Sequence, residues 1–167
     1  MQKNKKGFTL IEMAIVLLVV GILAGIVLRN IGGQSAIARD TRRQGDLRNV
    51  SNYLATYMAK FGYFPTSTTW VDLENELRRV GITDRLPLDP QGKTGASGYN
   101  YFPCSDSGQA PSMPNNPANH FILRAQLEQT PAQAPRLYES SVTSTPWQCL
   151  PQTPDCNPNN RYYCFTQ

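Results

Sequence analysis

Few residues of this chain have the types and spacing that chemistry needs. Its 167 residues include four cysteines, one histidine and twelve acids. The cysteines Cys104, Cys149, Cys156 and Cys164 form no C-x-x-C pair, and His120 stands apart from them in sequence. That spacing suits disulfides in an oxidising compartment better than zinc. Four cysteines allow three pairings, and all three stay open at this point. Asp84, Asp89 and Asp106 are calcium candidates in polar loops. A calcium site needs several convergent oxygens, and solvated loop acids are the plainer reading. Without a metal-ligand cluster or a Ser/His/Asp set, neither enzyme chemistry nor a cofactor is expected. One acid is oddly placed. Glu12 lies inside the apolar run of KKGFTLIEMAIVLLVVGILAGIVLRN, residues 5–30.

A carboxylate deep in lipid costs about 2.5–3.5 kcal/mol on insertion scales. Near the start of the run it can reach back to the headgroups. Cleavage after Gly7 would change its surroundings, because a positive amine would appear at Phe8, four residues from Glu12. Within one chain those groups could pair, with an acid in the first turn also suiting the helix dipole. Between staggered chains, the acid of one could meet the amine of the next. A buried charge without its partner is heavily penalised, so such pairing would select one stagger. That is a mechanism for a polymer.

The elements around these residues follow from composition. All thirteen prolines lie at Pro65 or later. Proline breaks helix interiors, so the N-terminal part can be one long helix and the remainder a loop-rich domain. Residues 8–30 are expected to span a membrane, the apolar run from Phe8 to Leu28 being enough for about 30 Å of helix. Leu47, Val50, Leu54, Tyr57 and Phe61 continue at helical spacing as an amphipathic stripe over 31–61. The polar stretch from Asn30 to Gly45 holds Gly32, Gly33 and Gly45 and is the weakest helix by propensity, open to helix, bend or local melting. In the head, 62–167, Thr69 caps a short helix through Val80, and Gly81 suits its C-terminal end. Strands are expected at 99–102, 120–128 and 161–166, with a further one around Leu137. The outline is α+β, a long helix on a small antiparallel sheet.

The net charge of +4 does not point to nucleic acid. Lys3, Lys5 and Lys6 precede the apolar run, and five arginines lie between Arg29 and Arg48. From Asn49 onward eight basic residues face nine acids, so the head offers no basic surface of the kind a DNA reader needs. Tyr99, Tyr101, Tyr162 and Tyr163 read as sheet packing rather than a stacking surface. The arginines beyond the apolar run blur the positive-inside signal, but the short tail and the cysteine-bearing domain favour an N-in, C-out anchor.

The stretch KKGFTLIEMAIVLLVVGILAGIVL resembles the class III signal of type IV pilins and pseudopilins. The resemblance implies a leader, 1–7, removed after Gly7 by a prepilin peptidase that also N-methylates Phe8, with Glu12 as the assembly glutamate. It implies a pilin-like fold and self-polymerisation from the inner membrane by an assembly platform and ATPase. Many major pilins carry a proline near the outer end of this helix, where this chain reads Leu28, Arg29 and Asn30, so the resemblance makes Gly21, Gly25, Gly32 and Gly33 the substitute places to bend or melt. A pilus subunit, exported to an extracellular filament, is the leading expectation. A type II secretion pseudopilin is the alternative, and a membrane-anchored extracytoplasmic binding protein the third. The motif predicts a mature N-terminus at Phe8. Intact-mass spectrometry should find it methylated there, and substitution of Gly7 should leave an uncut, membrane-retained precursor. A mature terminus at any other residue would overturn the motif assignment.

Overall fold

The computed structural model describes residues 7–143 and 145–166, with backbone alone at 27–33. The leader lysines and the side chains of the bend candidates Leu28, Arg29 and Asn30 fall outside the described set. Helix α1 runs from Leu10 to Phe61, its assignment passing through the glycine-containing stretch. Two compact units divide the chain at 1–36 and 37–167. The second unit thus takes in the amphipathic half of α1.

In the first unit, the described apolar side chains from Phe8 to Ile26 are exposed around the whole helix. Among the described residues no helix is long and apolar enough to cross a membrane. The described side chains of this run stop at Ile26, short of the 8–30 span expected from sequence.

In the second unit, Leu47, Val50, Leu54 and Tyr57 are buried, as their spacing requires. They pack with Leu73 and Leu77 of helix α2, Trp70–Arg79. Thr69 caps α2 by accepting from the Asp72 amide at 3.1 Å. Gly81, at φ 75°, closes its C-terminal end, with the Ile82 N–H donating to the Leu77 carbonyl at 3.0 Å.

The antiparallel sheet comprises β1 (Asn100–Ser105), β2 (His120–Gln126), β3 (Gln148–Cys149) and β4 (Tyr162–Phe165), in the order β3-β1-β2-β4. Alternation sorts its side chains onto two faces. Tyr101, Phe121, Leu123, Ala125 and Tyr163 join the helical core. Phe102, Cys104, Ile122, Cys149, Cys156 and Cys164 form a second, smaller core on the opposite face. Pro103 is tolerated inside β1 because its carbonyl accepts from the Leu150 N–H at 2.9 Å, beside the two-residue β3, where no donor is required.

Two expectations change. The segment around Leu137 is not a strand; Pro135–Tyr138 forms a 3-10 turn. Proline at its start removes a ladder donor, and the Leu137 carbonyl accepts instead from the Gln44 side-chain amide. The fourth strand is β3, too short for any alternation to announce. Its Cys149 is the register partner of Cys104, and a disulfide joins the two. The second disulfide, Cys156–Cys164, fastens the preceding loop to β4.

The bridges close loops of different length, 45 and 8 residues in sequence separation. Longer loops gain more from cross-linking on the chain-entropy argument. Replacing Cys104 and Cys149 together by serine should therefore cost about 2–5 kcal/mol. The Cys156/Cys164 double replacement should cost less, as read from thermal unfolding of the protein. The reverse order would show that strain or packing, not loop closure, sets the effect.

Candidate functional site

Two sets of side chains carry the polar chemistry of the described residues. One lies at the start of α1. Thr9 stands just outside the helix and Glu12 in its first turn. The Thr9 N–H and hydroxyl both donate to Glu12 Oε2 at 3.0 Å, and the Glu12 N–H donates back to Thr9 Oγ1 at 3.3 Å. This reciprocal arrangement is a capping box, which satisfies amides that the first helical turn would otherwise leave bare. Glu12 thus has an intrachain partner already, Thr9. Among the described residues its Oε1 carries no bond and is left for another donor. Phe8 is 79% exposed, and Gly7 has open space around its Cα.

The second set was not anticipated. Arg43 has no exposed surface. Its guanidinium donates to Asp89 at 2.6 and 3.2 Å, to Asp40 at 2.6 Å and to Glu128 at 2.8 Å. Gln91 Oε1 accepts a further bond at 3.1 Å. Arg39 holds Glu128 from the other side, its two nitrogens donating at 2.7 and 2.5 Å. Asp40 in turn accepts from the backbone N–H groups of Glu128 and Gln129, at 3.0 and 2.9 Å. The network ties α1 to the loop before β1 and to the chain leaving β2. A signal for it did exist. Counting back along the stripe from Leu54, Val50 and Leu47 by helical steps lands on Arg43 and Asp40.

The electrostatics are self-compensating. Burial pulls the Arg43 guanidinium down, but bonds to Asp89, Glu128 and Asp40 outweigh it and leave the pKa above the ordinary value. Burial likewise pushes Asp89 up, and the bonds from Arg43 and the Gln91 amide more than reverse it. The Arg39 bonds, and then those of Arg43, hold Glu128 down at about 2. Two arginines that sequence counted as juxtamembrane positive charge are therefore spent inside the fold.

The calcium candidates are not brought together. Asp89 belongs to Arg43, and Asp106 accepts from Asn119 and lies 3.7 Å from His120 Nε2. Asp84 is exposed. Among the described residues no group of three His, Cys, Asp or Glu side chains could hold a metal ion. Tyr99, Tyr101 and Tyr163 are buried in the core, as the packing reading expects, and the Tyr162 ring carries the Arg124 guanidinium at 4.3 Å. His120 opens β2 and stacks on Trp147 at a centroid distance of 4.0 Å.

A long N-terminal helix, apolar in its first part, followed by a disulfide-bonded head with a four-stranded antiparallel sheet, defines the pilin-like α+β class. The family described as Prokaryotic N-terminal methylation motif matches residues 2–28. Among curated proteins, the chain is 33% identical over 103 residues to the type II secretion system core protein G of Aeromonas hydrophila, covering 55% of this chain and 72% of that protein. The Vibrio cholerae protein of the same name is 29% identical over 119 residues, covering 65% of this chain and 79% of the relative. That of Escherichia coli K12 is 28% identical over 99 residues, covering 53% and 68%. No solved structure gave a significant match. The chain belongs to the type IV pilin and pseudopilin family, and is a structural protein, not an enzyme. Membership implies processing by a prepilin peptidase, inner-membrane anchoring and assembly by dedicated machinery.

Removing one member of a buried ion network strands the others. Arg43→Ala should destabilise the head by about 3–5 kcal/mol. The acid limb follows from Glu128, whose folded pKa of about 2 lies below its ordinary 4.5. A depressed carboxylate stabilises the fold above its unfolded pKa and loses that contribution as pH falls toward the folded one. Thermal unfolding should therefore show stability falling between about pH 4.5 and pH 2. Glu128→Gln should lower stability at neutral pH and flatten that slope; an unchanged slope would remove Glu128 from the network's energetics.

Proposed function

We propose that the chain is a pseudopilin, the filament-building subunit of a type II secretion machine, cut after Gly7 and polymerised through its N-terminal helix. The observation that carries this reading is the reach of the similarity. It covers 103 residues of a type II secretion core protein G, well past the motif at 2–28 that pilins and pseudopilins share. The pilus subunit favoured on sequence alone stands second, because the relatives reported above are secretion proteins. In the proposed filament the exposed apolar side chains from Phe8 to Ile26 supply the bulk attraction. Glu12 gives direction. Thr9 occupies Oε2 in the helix cap, and Oε1 accepts from the methylated Phe8 amine of the next subunit. The machine is seated in the inner membrane and driven by an ATPase, and the filament stays within the envelope.

Two substitutions separate capping from charge. Glutamine also completes a capping box, whereas alanine does not. Glu12→Gln and Glu12→Ala should both insert and be cleaved, and both should fail to build filaments in a strain overexpressing the subunit. Wild-type assembly by Glu12→Gln would reduce the acid to a helix cap. Fractionation tests the machine: secretion of envelope-exported enzymes should depend on the chain, which should be scarce among sheared surface filaments.

A further inference from the structure

The head carries a groove that neither processing nor polymerisation through α1 uses. It has a volume of about 400 Å³ and is lined by Trp70 and Val71 of α2, Leu88, Phe102 of β1, Lys93 and Arg124. Val71 is 66% exposed and Leu88 62%, the highest values among the large apolar side chains of the described head residues. Water thus covers apolar surface at the rim that a partner could cover instead.

The groove lining holds two cations, Lys93 and Arg124, and one acid, Asp89, which is already ion-paired. Arg39, Arg42, Arg43 and Arg79 are each ion-paired. Arg124 is not, and its outward bond is a long one of 3.4 Å from Nη1 to the Asp155 carbonyl. Its Nε is buried with no acceptor among the described residues. The guanidinium lies over the rings of Phe102 and Tyr162, at 5.2 and 4.3 Å, which fixes its plane, and the Asp155 carboxylate acts on it from a distance without forming an ion pair. Asp89 also lines the groove, but its carboxylate is taken up by Arg43. A fixed, unpaired guanidinium prefers a carboxylate, for which its fork is shaped. Trp and Arg are the residue types that dominate protein–protein contacts, and their combination with exposed aliphatics is that of an interface centre.

We propose that this groove docks a short segment of a partner protein in which apolar residues flank a carboxylate, the carboxylate meeting Arg124 and Lys93 and the apolar side chains covering Trp70, Val71 and Leu88. The site lies on the head and stands whichever machine the filament serves. A small anion would have no use for the apolar rim. A lone fatty-acid chain would have the carboxylate without the alternating side chains.

The test uses the mature full-length chain in detergent with Trp147→Phe, which leaves Trp70 as the reporter of the two tryptophans. Titration with acetyl-Leu-Glu-Leu-Glu-Leu-amide should change Trp70 emission in a salt-sensitive way. The lysine counterpart acetyl-Leu-Lys-Leu-Lys-Leu-amide and decanoate should not. Arg124→Gln should weaken binding at least about tenfold. Leu88→Ser, a surface change that leaves the fold intact, should also weaken it should Arg124→Gln fail to fold. Equal binding by the lysine peptide or decanoate, or no response to the acidic peptide at millimolar concentration, would overturn the proposal. So would a photo-crosslinking residue at position 88 that yields ladders of this chain alone, since that would put a second copy in the groove.

Discussion

The head depends on one buried guanidinium. Arg43 reaches Asp40 within its own helix, Asp89 in the loop before β1 and Glu128 beyond β2, so three stretches of chain converge on one planar group. Removing a charge from water is costly, and the cost is offset here only because every arm of the fork finds an acceptor. That requirement makes the junction specific. An apolar residue at the same helical step would still bury surface but would accept many offsets of helix against sheet. The fork and its carboxylates accept few.

Around that junction the sheet works with two unlike faces. Its helical face is an ordinary apolar core, with Leu47, Val50, Leu54, Leu73 and Leu77 against Tyr101, Phe121, Leu123 and Tyr163. Its other face has little to bury beyond Phe102 and Ile122, and the four half-cystines supply most of the remaining buried groups. Long proline-rich connections cost conformational entropy that so small a core offsets poorly. Covalent closure lowers that cost by restricting the unfolded chain instead of adding contacts to the folded one. The disulfides are thus the second core's substitute for size, and a two-residue strand such as β3 can persist because Cys149 anchors it.

How much of this was legible in the sequence depended on range. The stripe from Leu47 to Tyr57, the Thr69 cap, the glycine after α2 and the alternation of Phe121, Leu123 and Ala125 are local patterns, and each appears in the fold at its expected place. What stayed hidden required partners far along the chain. Asp89 and Glu128 lie 46 and 85 residues from Arg43. A polar stretch therefore read as a weak helix when it was the buried end of the stripe. The strand expected near Leu137 failed for a related reason, since a side chain from α1, Gln44, decides what its carbonyl does. The cysteine pairing was likewise a matter of topology, because β3 meets β1 only in three dimensions.

The same contrast between local and distant bonding separates the two acids that matter most. Glu128 is satisfied wholly within its chain: two arginines hold it ionised, and its own amide completes the cap on Asp40. Glu12 is satisfied only in part. Thr9 binds one oxygen and so orients the carboxylate, while the other has no partner among the described residues. Around it stand apolar side chains that are all exposed and have no core of their own to join. An oriented acid loses little further entropy when a second donor arrives. In the filament proposed above, the cap at Thr9 aims Glu12 before any neighbour is present.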